Sequence, residues 1–290
     1  MKYLSSPVEK ICPAVSRYWI CYINRRKVLI MGIRKLIKQI IGKTGYSLVH
    51  LPDTDELYDR DGLISVHNHD FMADPSFQIA YARGVRAAGD YRWQWRVHIG
   101  LWAAQTAARL DGDFVECGVN RGFLSSAIMQ YLDWDSTGKT FYLLDTFAGL
   151  DARHIGHDDA AAAERNEKHL AEGFYVRDVE SVRENFSEWK DVRVIQGSVP
   201  ESLAEIDTTR VAYLHLDMNS APPEVAALNN LWDLLVAGAV ILLDDYAFAG
   251  YETQKYAMDA AAAARGINIA SLPTGQGLAL KTEPASKTNL

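Results

Sequence analysis

The sequence of 290 residues predicts an α/β fold. We expect a Rossmann-like, doubly wound sheet of seven strands with a terminal antiparallel hairpin, preceded by an N-terminal helical extension. Three observations favour this fold. From residue 111 onward, short apolar runs alternate with helical stretches, which is typical of buried parallel strands joined by helices. The first run ends in a glycine-containing turn that opens a helix, and the last two runs are separated only by a tight turn.

Five of the apolar runs are expected to form the parallel strands, because they are short and rich in β-branched or aromatic residues. In chain order they are FVECGV, TFYLLDT, VRVIQG, VAYLHLDM and AVILLDD. Helical stretches such as SSAIMQYL and APPEVAALNNLWDLL separate them. A helix around YETQKYAMDAAAAARG follows, and INIASL and LALKT then form the hairpin.

Four regions are expected along the chain. Residues 1–50 form a basic amphipathic extension, and residues 51–110 form a helical lead-in segment or lid. Within that segment we expect a loop-rich stretch at 54–90, followed by a helix in YRWQWRVHIGLWAAQTAARL. Residues 111–282 form the α/β domain, and residues 283–290 form a tail.

The net charge of −7 is unevenly distributed. Residues 1–50 contain ten Lys/Arg and one acid, which leaves 20 basic and 36 acidic residues elsewhere. Residues 31–45, MGIRKLIKQIIGKTG, combine apolar residues at helical spacing with basic ones. Such a helix either contacts a membrane surface or packs on its own domain or a second subunit. The acidic remainder argues against nucleic acid as a partner, and we expect a homo-oligomer.

The chain has the features of a cytoplasmic protein. No run of eighteen or more uncharged apolar residues occurs, and the N-terminus lacks a convincing signal peptide with a small-residue cleavage site. The three cysteines, Cys12, Cys21 and Cys117, have no paired or metal-type spacing, which fits a reducing compartment.

The stretch DGDFVECGVNRGFLSSAI, residues 111–128, is the first candidate site. Strand-to-helix turns of this kind bind ligands in open α/β sheets, and Gly118 and Gly122 let the backbone approach one closely. The pattern G-x-N-x-G lacks the dinucleotide spacing and the Lys-Ser/Thr of a phosphate loop. Glu116 would repel a pyrophosphate but suits an ammonium or sulfonium group. A tight turn without a ligand is the alternative.

The next strand, FYLLDTF, ends with Asp145, where an acid can accept both hydroxyls of a ribose. Asp145 could also cap a helix. A nucleoside that carries a positive centre and no phosphates is S-adenosylmethionine, so this molecule is the cofactor that the two motifs together favour.

The motifs GDFVECGVNRG, LLDTFAGL, IQGSVPESL, LHLDMN and AVILLDDY follow one another across residues 112–246. In this order the chain resembles a class I S-adenosylmethionine-dependent methyltransferase and, more narrowly, the macrocin O-methyltransferase family of metal-dependent sugar methylators. The resemblance implies O-methylation of a hydroxyl on a sugar or polyol-bearing metabolite. It also implies three groups of cofactor-binding residues: Glu116, Gly118, Asn120 and Gly122 at the methionine end, Asp145 and Thr146 at the ribose, and Gly197 and Ser198 at the adenine.

Acids end two neighbouring strands: Asp217 follows LHL, and Asp244 with Asp245 follows ILL. Three converging carboxylates suit a hard divalent cation, Mg²⁺ before Ca²⁺ or Mn²⁺, and the family resemblance points the same way. Alternatively, Asp245 caps the following helix and Asp244 is a satisfied structural acid.

A divalent cation that binds two vicinal hydroxyls lowers the pKa of one of them and orients it toward the methyl group. A nearby base then accepts the proton. We assign catalytic roles to Asp217 and His157, with His154 as a further candidate base. Both histidines lie in DARHIGHDDAAAAERN, a long connection suited to form a lid. Solvated loop histidines without a catalytic role are the alternative.

The chain departs from the family after the first metal-binding aspartate. Where the family usually has a second acid and a tyrosine, this sequence has Asn219 and then Ser-Ala-Pro-Pro, so we expect different acceptor contacts. Two other classes of protein stay open. A nicotinamide-dependent oxidoreductase shares the doubly wound sheet, and a non-catalytic protein could dock to a membrane or a partner through residues 31–45.

Overall fold

The computed structural model describes residues 39–41, 43, 57–155 and 160–282. The chain divides into two compact units, Met1–His69 and Asp70–Leu290. Most of the basic helix predicted for residues 31–45 lies outside the described residues, so its docking role stays a prediction. No helix in the described part of the chain is both long and apolar enough to cross a membrane.

The described part of the first unit contains one β-hairpin. Strand β1 (Tyr58–Arg60) pairs antiparallel with β2 (Leu63–Ser65) across Asp61 and Gly62. Both turn residues have positive φ angles, 53° and 71°. This is the geometry of a two-residue type I′ turn, for which Asp-Gly is a favoured sequence.

The second unit alternates helices and strands, as the apolar runs predict. The described α-helices are α1 (Pro75–Ala88), α2 (Gln94–Ala107), α3 (Phe123–Leu132), α4 (Ala160–Ala171), α5 (Val179–Phe186), α6 (Ala221–Leu231) and α7 (Glu252–Ala263). The strands are β3 (Asp113–Cys117), β4 (Phe141–Asp145), β5 (Val192–Gln196), β6 (Val211–Leu216), β7 (Leu235–Leu243), β8 (Ala270–Ser271) and β9 (Gly277–Leu280).

These strands form one sheet in the order β5-β4-β3-β6-β7-β9-β8. Strands β3 to β7 are parallel, whereas β9 is antiparallel to both β7 and β8. The turn between β8 and β9 is closed by a hydrogen bond from Leu272 N to Gln276 O of 2.9 Å. The seven-stranded α/β sheet and its terminal antiparallel hairpin are therefore confirmed.

Helices cover both faces of the sheet, so its central strands are buried. All six residues of β6 are buried, as expected for a strand packed on both sides. One core cluster joins the sheet to α1, α2, α3 and α5, and a second joins it to α6 and α7. After β5 the chain returns across the sheet to form β6 beside β3, so the strand order reverses between β3 and β6. This is the switch point at which doubly wound sheets bind ligands.

The loop-rich interpretation of residues 54–90 is wrong over α1. Asp74 caps this helix by accepting a hydrogen bond from Phe77 N at 2.9 Å, and Pro75 occupies its first turn. Gly84 lies within this helix and is buried. In the fold it lets α1 approach α3, because a Cβ there would lie 2.8 Å from the Phe123 carbonyl oxygen.

Candidate functional site

A cleft opens at the carboxyl ends of β3, β4, β5 and β6, where a doubly wound sheet binds its ligands. Its wall includes six of the predicted site residues: Gly118, Asp145, Thr146, Gly197, Ser198 and Asp217. Glu116, Asn120 and Gly122 lie behind this wall. Asp244 and Asp245 lie beside the cleft at the end of β7, next to Asp217.

Gly118 follows β3 and is the point of closest backbone approach in the cleft. Its φ angle is 97°, and its N–H donates to Leu144 O at 2.8 Å. A Cβ at this position would lie only 1.9 Å from the carbonyl oxygen of Asp217. Only glycine therefore allows β3 and β6 to end side by side and bring the glycine turn against Asp217.

Asp145 is fixed by backbone donors on both carboxylate oxygens. Asn120 N donates to Oδ2 at 2.7 Å, and Phe147 N donates to Oδ1 at 2.7 Å. Removal from solvent raises the pKa of Asp145, and these N–H bonds partly oppose the rise. Each carboxylate oxygen has a second lone pair. The side chain can therefore still accept a hydroxyl at each oxygen.

We expect Asp145→Ala to weaken binding of S-adenosylhomocysteine by about tenfold or more, because two acceptors for buried polar groups are lost. Binding of Mn²⁺ should change little, since Asp145 lies outside the acidic cluster at β6 and β7. Calorimetric titration of both ligands on one preparation checks this result, with the Mn²⁺ titration as a test of folding. Equal losses for both ligands would show a general structural defect instead.

Thr146, predicted at the ribose, and Ser198, predicted at the adenine, both line the cleft, but their hydroxyl groups already have partners. Thr146 Oγ1 donates to Gly149 O at 2.6 Å. Ser198 Oγ donates to Asp151 Oδ2 at 2.6 Å. The pKa of Asp151 is held well below its usual range by hydrogen bonds from Arg153 and Ser198. At this end of the cleft, Asp151 is an ionised acid that the sequence analysis did not single out.

Glu116 is buried in the sheet rather than exposed to the cleft. It faces His215 across β3 and β6, and its Oε1 lies 3.0 Å from His215 Nδ1. Burial alone would lower the pKa of His215, but the contact with Glu116 outweighs this effect and raises it. The contact of Glu116 with the cofactor's positive end stays a prediction. Because Glu116 is buried in the sheet, we expect its effect on that group to be indirect.

Asn120 and Gly122 position neighbouring segments. Asn120 Nδ2 donates to Phe174 O at 3.1 Å, and Val176 N donates to Asn120 Oδ1 at 2.9 Å. These bonds flank Tyr175, which lines the cleft. Gly122 begins α3, and a Cβ there would lie 2.4 Å from the ring of Phe186. Both residues therefore fix the surroundings of the cofactor turn.

The three aspartates predicted as metal ligands come together. One carboxylate oxygen from each of Asp217, Asp244 and Asp245 lies within 4.8 Å of the others. The pKa of Asp217 is raised well above its usual range, first by removal from solvent and then by the neighbouring charges of Asp244 and Asp245. An all-oxygen donor set with excess negative charge fits a hard divalent cation. The residues present therefore suit the predicted ion.

A charged residue that the sequence analysis missed contacts this cluster. Arg96 of α2 is buried and forms an ion pair of 2.5 Å with Asp244 and another of 3.2 Å with Asp245. The available signal was a single arginine among apolar residues in the helix QWRVHIGLWAA. Because 148 residues separate Arg96 from Asp244, the sequence alone could not pair them.

The candidate bases have different outcomes. Asp217 lies in the cleft wall and in the acidic cluster. His154 also lines the cleft, and its Nε2 is 3.8 Å from a Glu201 carboxylate oxygen, too far for a hydrogen bond. His157 lies outside the described residues, so its role stays a prediction. Asn219, which departs from the family pattern, has a φ of 57° and contacts Asp217 Oδ1 at 3.4 Å.

Glu224 of α6 is a second acid that the sequence analysis did not single out. It is fully buried, and its Oε1 accepts hydrogen bonds from Met218 N at 3.0 Å and Gln254 Nε2 at 2.6 Å. Burial raises its pKa to about 8, although both hydrogen bonds oppose the rise. Glu224 therefore supports the backbone next to Asp217 as a protonated acid at neutral pH.

This raised pKa predicts a loss of stability with increasing pH. The unfolded carboxyl titrates near 4.5 and the folded one near 8. Between these values only the folded chain retains the proton, so the free energy of unfolding falls, by up to about 5 kcal/mol in all. Glu224→Gln should remove this contribution. Urea unfolding of both proteins at about pH 5 and about pH 9 measures it, and equal pH dependence would contradict it.

Comparison with known proteins agrees with the fold and identifies the family. The family model of macrocin-O-methyltransferase (TylF) matches residues 101–270. The chain is 30% identical over 146 residues to the 8-demethyl-8-(2,3-dimethoxy-alpha-L-rhamnosyl)-tetracenomycin-C 4'-O-methyltransferase of Streptomyces olivaceus, covering 48% of this chain and 54% of that protein. It is 27% identical over 144 residues to the demethyldecarbamoylnovobiocin O-methyltransferase of Streptomyces niveus, covering 47% and 53%. The match thus spans about half the length of each curated relative.

The solved structure of the O-methyltransferase NovP has the same fold. It superposes with a TM-score of 0.57 at 19% identity, covering 74% of this chain and 99% of that one. The family match includes β3 to β7, the glycine turn at Gly118 and all three aspartates of the acidic cluster. This chain belongs to the macrocin-O-methyltransferase family.

Proposed function

We propose that the protein is an S-adenosylmethionine-dependent O-methyltransferase that acts on a sugar hydroxyl with a divalent cation, Mg²⁺, at its acidic cluster. The observation that carries this proposal is that the cleft and the acidic cluster adjoin each other. The cleft with the glycine turn and Asp145 suits the nucleoside, and the cluster of Asp217, Asp244 and Asp245 suits the cation. Asp217 belongs to both, because it lines the cleft and belongs to the cluster.

The substrate class is supported by the relatives. One of them is named as a 4'-O-methyltransferase of a compound that carries a rhamnosyl group, and this name supports a sugar hydroxyl as the acceptor. Family membership also favours methyl transfer over the nicotinamide oxidoreductase. Because Asn219 and the Ser-Ala-Pro-Pro segment replace the usual family residues, the identity of the acceptor is chosen by contacts particular to this chain.

When bound, S-adenosylmethionine would supply an electrophilic methyl group attached to a positively charged sulfur. A bound divalent cation supplies Lewis acidity that lowers the pKa of the hydroxyl. Asp145 orients the ribose, and the turn at Gly118 brings the methionine portion beside Asp217. The Asp217 carboxylate accepts the hydroxyl proton directly, or does so in relay with His157. Tyr175 covers the cleft next to the reacting groups and limits the access of water.

Calorimetric titration with S-adenosylhomocysteine tests the cofactor site, once with excess Mg²⁺ and once with chelator. We expect micromolar binding in both, because the residues predicted to bind the cofactor do not include the three aspartates of the acidic cluster. Methyl transfer to a simple rhamnoside should then require the cation. The matched control is the same rhamnoside with one hydroxyl of the vicinal pair removed. The proposal is refuted if S-adenosylhomocysteine binds neither with excess Mg²⁺ nor with chelator.

The predicted membrane contact and the predicted homo-oligomer each have a test of their own. Membrane contact through residues 31–45 is expected to appear as pelleting with anionic liposomes that is lost when those residues are removed. A homo-oligomer is expected in sedimentation. Neither property is needed for the cofactor and cation sites, which are formed within the described part of a single chain.

A further inference from the structure

We propose that Arg96 is a permanent counter-cation of the acidic cluster. In this role it neutralises one of the three carboxylates, holds Asp244 in place and leaves a site whose charge matches one divalent cation. This inference concerns the cation site of the proposed function and rests on it. The residues that carry the inference are Arg96, Gln276 and the three aspartates of the cluster.

The Arg96 guanidinium is enclosed by protein. The residue is 6% exposed, and Nη1 lies 2.5 Å from Asp244 Oδ2, 3.2 Å from Asp245 Oδ1 and 3.3 Å from the Asp244 carbonyl oxygen. The guanidinium carbon lies 5.7 Å from the ring centre of Trp93 and 5.2 Å from that of Phe248. Two aromatic faces and two carboxylates therefore stabilise a cation at this position.

Asp244 is held from both sides. Its Oδ2 faces Arg96, and its Oδ1 accepts a hydrogen bond from Gln276 Nε2 at 3.1 Å. Gln276 is fully buried, and its side-chain amide oxygen Oε1 accepts a hydrogen bond from Thr274 Oγ1 at 3.0 Å. Asp244 is therefore the most constrained carboxylate of the three, and its main partner is an arginine.

Asp217 is the least constrained of the three. The side-chain contact described for its carboxylate is Asn219 Nδ2 at 3.4 Å, which is longer than a usual hydrogen bond. Asp217 also faces the cleft. The cleft therefore gives an added cation access to the cluster through Asp217.

Charge counting gives the consequence. Three carboxylates and one guanidinium sum to a charge of minus two when all are ionised. One divalent cation balances that charge. Without Arg96 the cluster would have a charge of minus three, and a divalent cation would be attracted more strongly. A merely structural arginine would predict no gain in cation affinity when it is removed.

Mn²⁺ titration followed by electron paramagnetic resonance tests this role, with every variant measured at the same pH of about 8. We expect Arg96→Met to bind Mn²⁺ at least about tenfold more tightly than the wild type. Arg96→Lys, which retains the charge, should stay within about threefold of the wild type. Arg83→Met is the matched control, because Arg83 is equally buried and forms an ion pair of 2.7 Å with Glu188 away from the cluster.

A charge-balanced variant covers the case in which Arg96→Met does not fold. Arg96→Met combined with Asp244→Asn removes one positive and one negative charge, so the cluster keeps its charge of minus two. Its reference is Asp244→Asn alone, which lacks the same carboxylate but keeps Arg96, and we expect the double variant to bind Mn²⁺ at least about tenfold more tightly than this reference. Equal or weaker Mn²⁺ binding by the double variant than by Asp244→Asn would overturn the proposal.

For the single variant, an Mn²⁺ affinity of Arg96→Met equal to or below that of the wild type would overturn the proposal. If the wild type binds no Mn²⁺ and Arg96→Met does, the counter-cation role is supported and the cation is removed from the proposed function. Absence of S-adenosylhomocysteine binding would instead refute the methyltransferase proposal. The two failures are therefore distinguishable.

Discussion

Asp217→Asn is expected to lower kcat for methyl transfer by about 1000-fold while S-adenosylhomocysteine still binds. Asp217 is the one acid that lies both in the cleft wall and in the acidic cluster. Asparagine preserves its shape but removes a negative cation ligand and a proton acceptor. Steady-state methyl transfer measures the loss, and calorimetry with S-adenosylhomocysteine shows whether the cofactor cleft is intact.

Asp233→Asn is the control for this change. Asp233 is exposed and follows α6 outside the cleft, so kcat should stay at the wild-type value. Adding excess Mn²⁺ should not restore Asp217→Asn, because the missing group is also a proton acceptor. Full activity of Asp217→Asn in the presence of a chelator would show that neither role assigned to this carboxylate is correct.

Gly118→Ala is expected to lower the free energy of unfolding by more than about 4 kcal/mol or to prevent folding. A methyl group at this position would lie 1.9 Å from the Asp217 carbonyl oxygen, which is backbone and cannot rotate away. The φ angle of 97° adds strain of its own. Any protein that folds must separate the ends of β3 and β6, so the cofactor cleft should be lost as well. Chemical denaturation and S-adenosylhomocysteine titration measure the two effects.

Gly89→Ala separates strain from collision. Gly89 has a φ of 92°, close to that of Gly118, but a Cβ there would have no neighbour within 4 Å. We expect a loss of about 1–2 kcal/mol from strain alone and unchanged cofactor binding. Equal destabilisation by the two substitutions would mean that the contact between Gly118 and Asp217 relaxes readily, contrary to the packing described above.

The sheet could be predicted because the signals for it are local. Each parallel strand is a short apolar run, and the hairpin between β8 and β9 has its turn residues in sequence. Helix α1 was missed because residues 54–90 were interpreted as one loop-rich stretch, and the role of Gly84 within the helix depends on α3, nearly forty residues later. The helix start at Asp74 and Pro75 was a usable local signal that the loop-rich interpretation did not weigh.

The acidic cluster could also be predicted, since β6 and β7 are neighbouring parallel strands and their carboxyl ends meet at one edge of the sheet. Side-chain contacts between two strands, or between a helix and the sheet, could not be predicted. The pairing of Glu116 with His215 depends on strand register, and the contact of Arg96 with Asp244 depends on how α2 lies on the sheet. Such contacts are set by tertiary packing, for which the sequence contains no local signal.

Asn120 connects two parts of the site that the chain keeps far apart. Its backbone N–H donates to Asp145, while its side chain bonds on both sides of Tyr175. We therefore expect a nucleoside that orders the turn to order the segment around Tyr175 as well. Deuterium uptake at the Val176 amide should then fall when the cleft is occupied, although Val176 itself does not line the cleft.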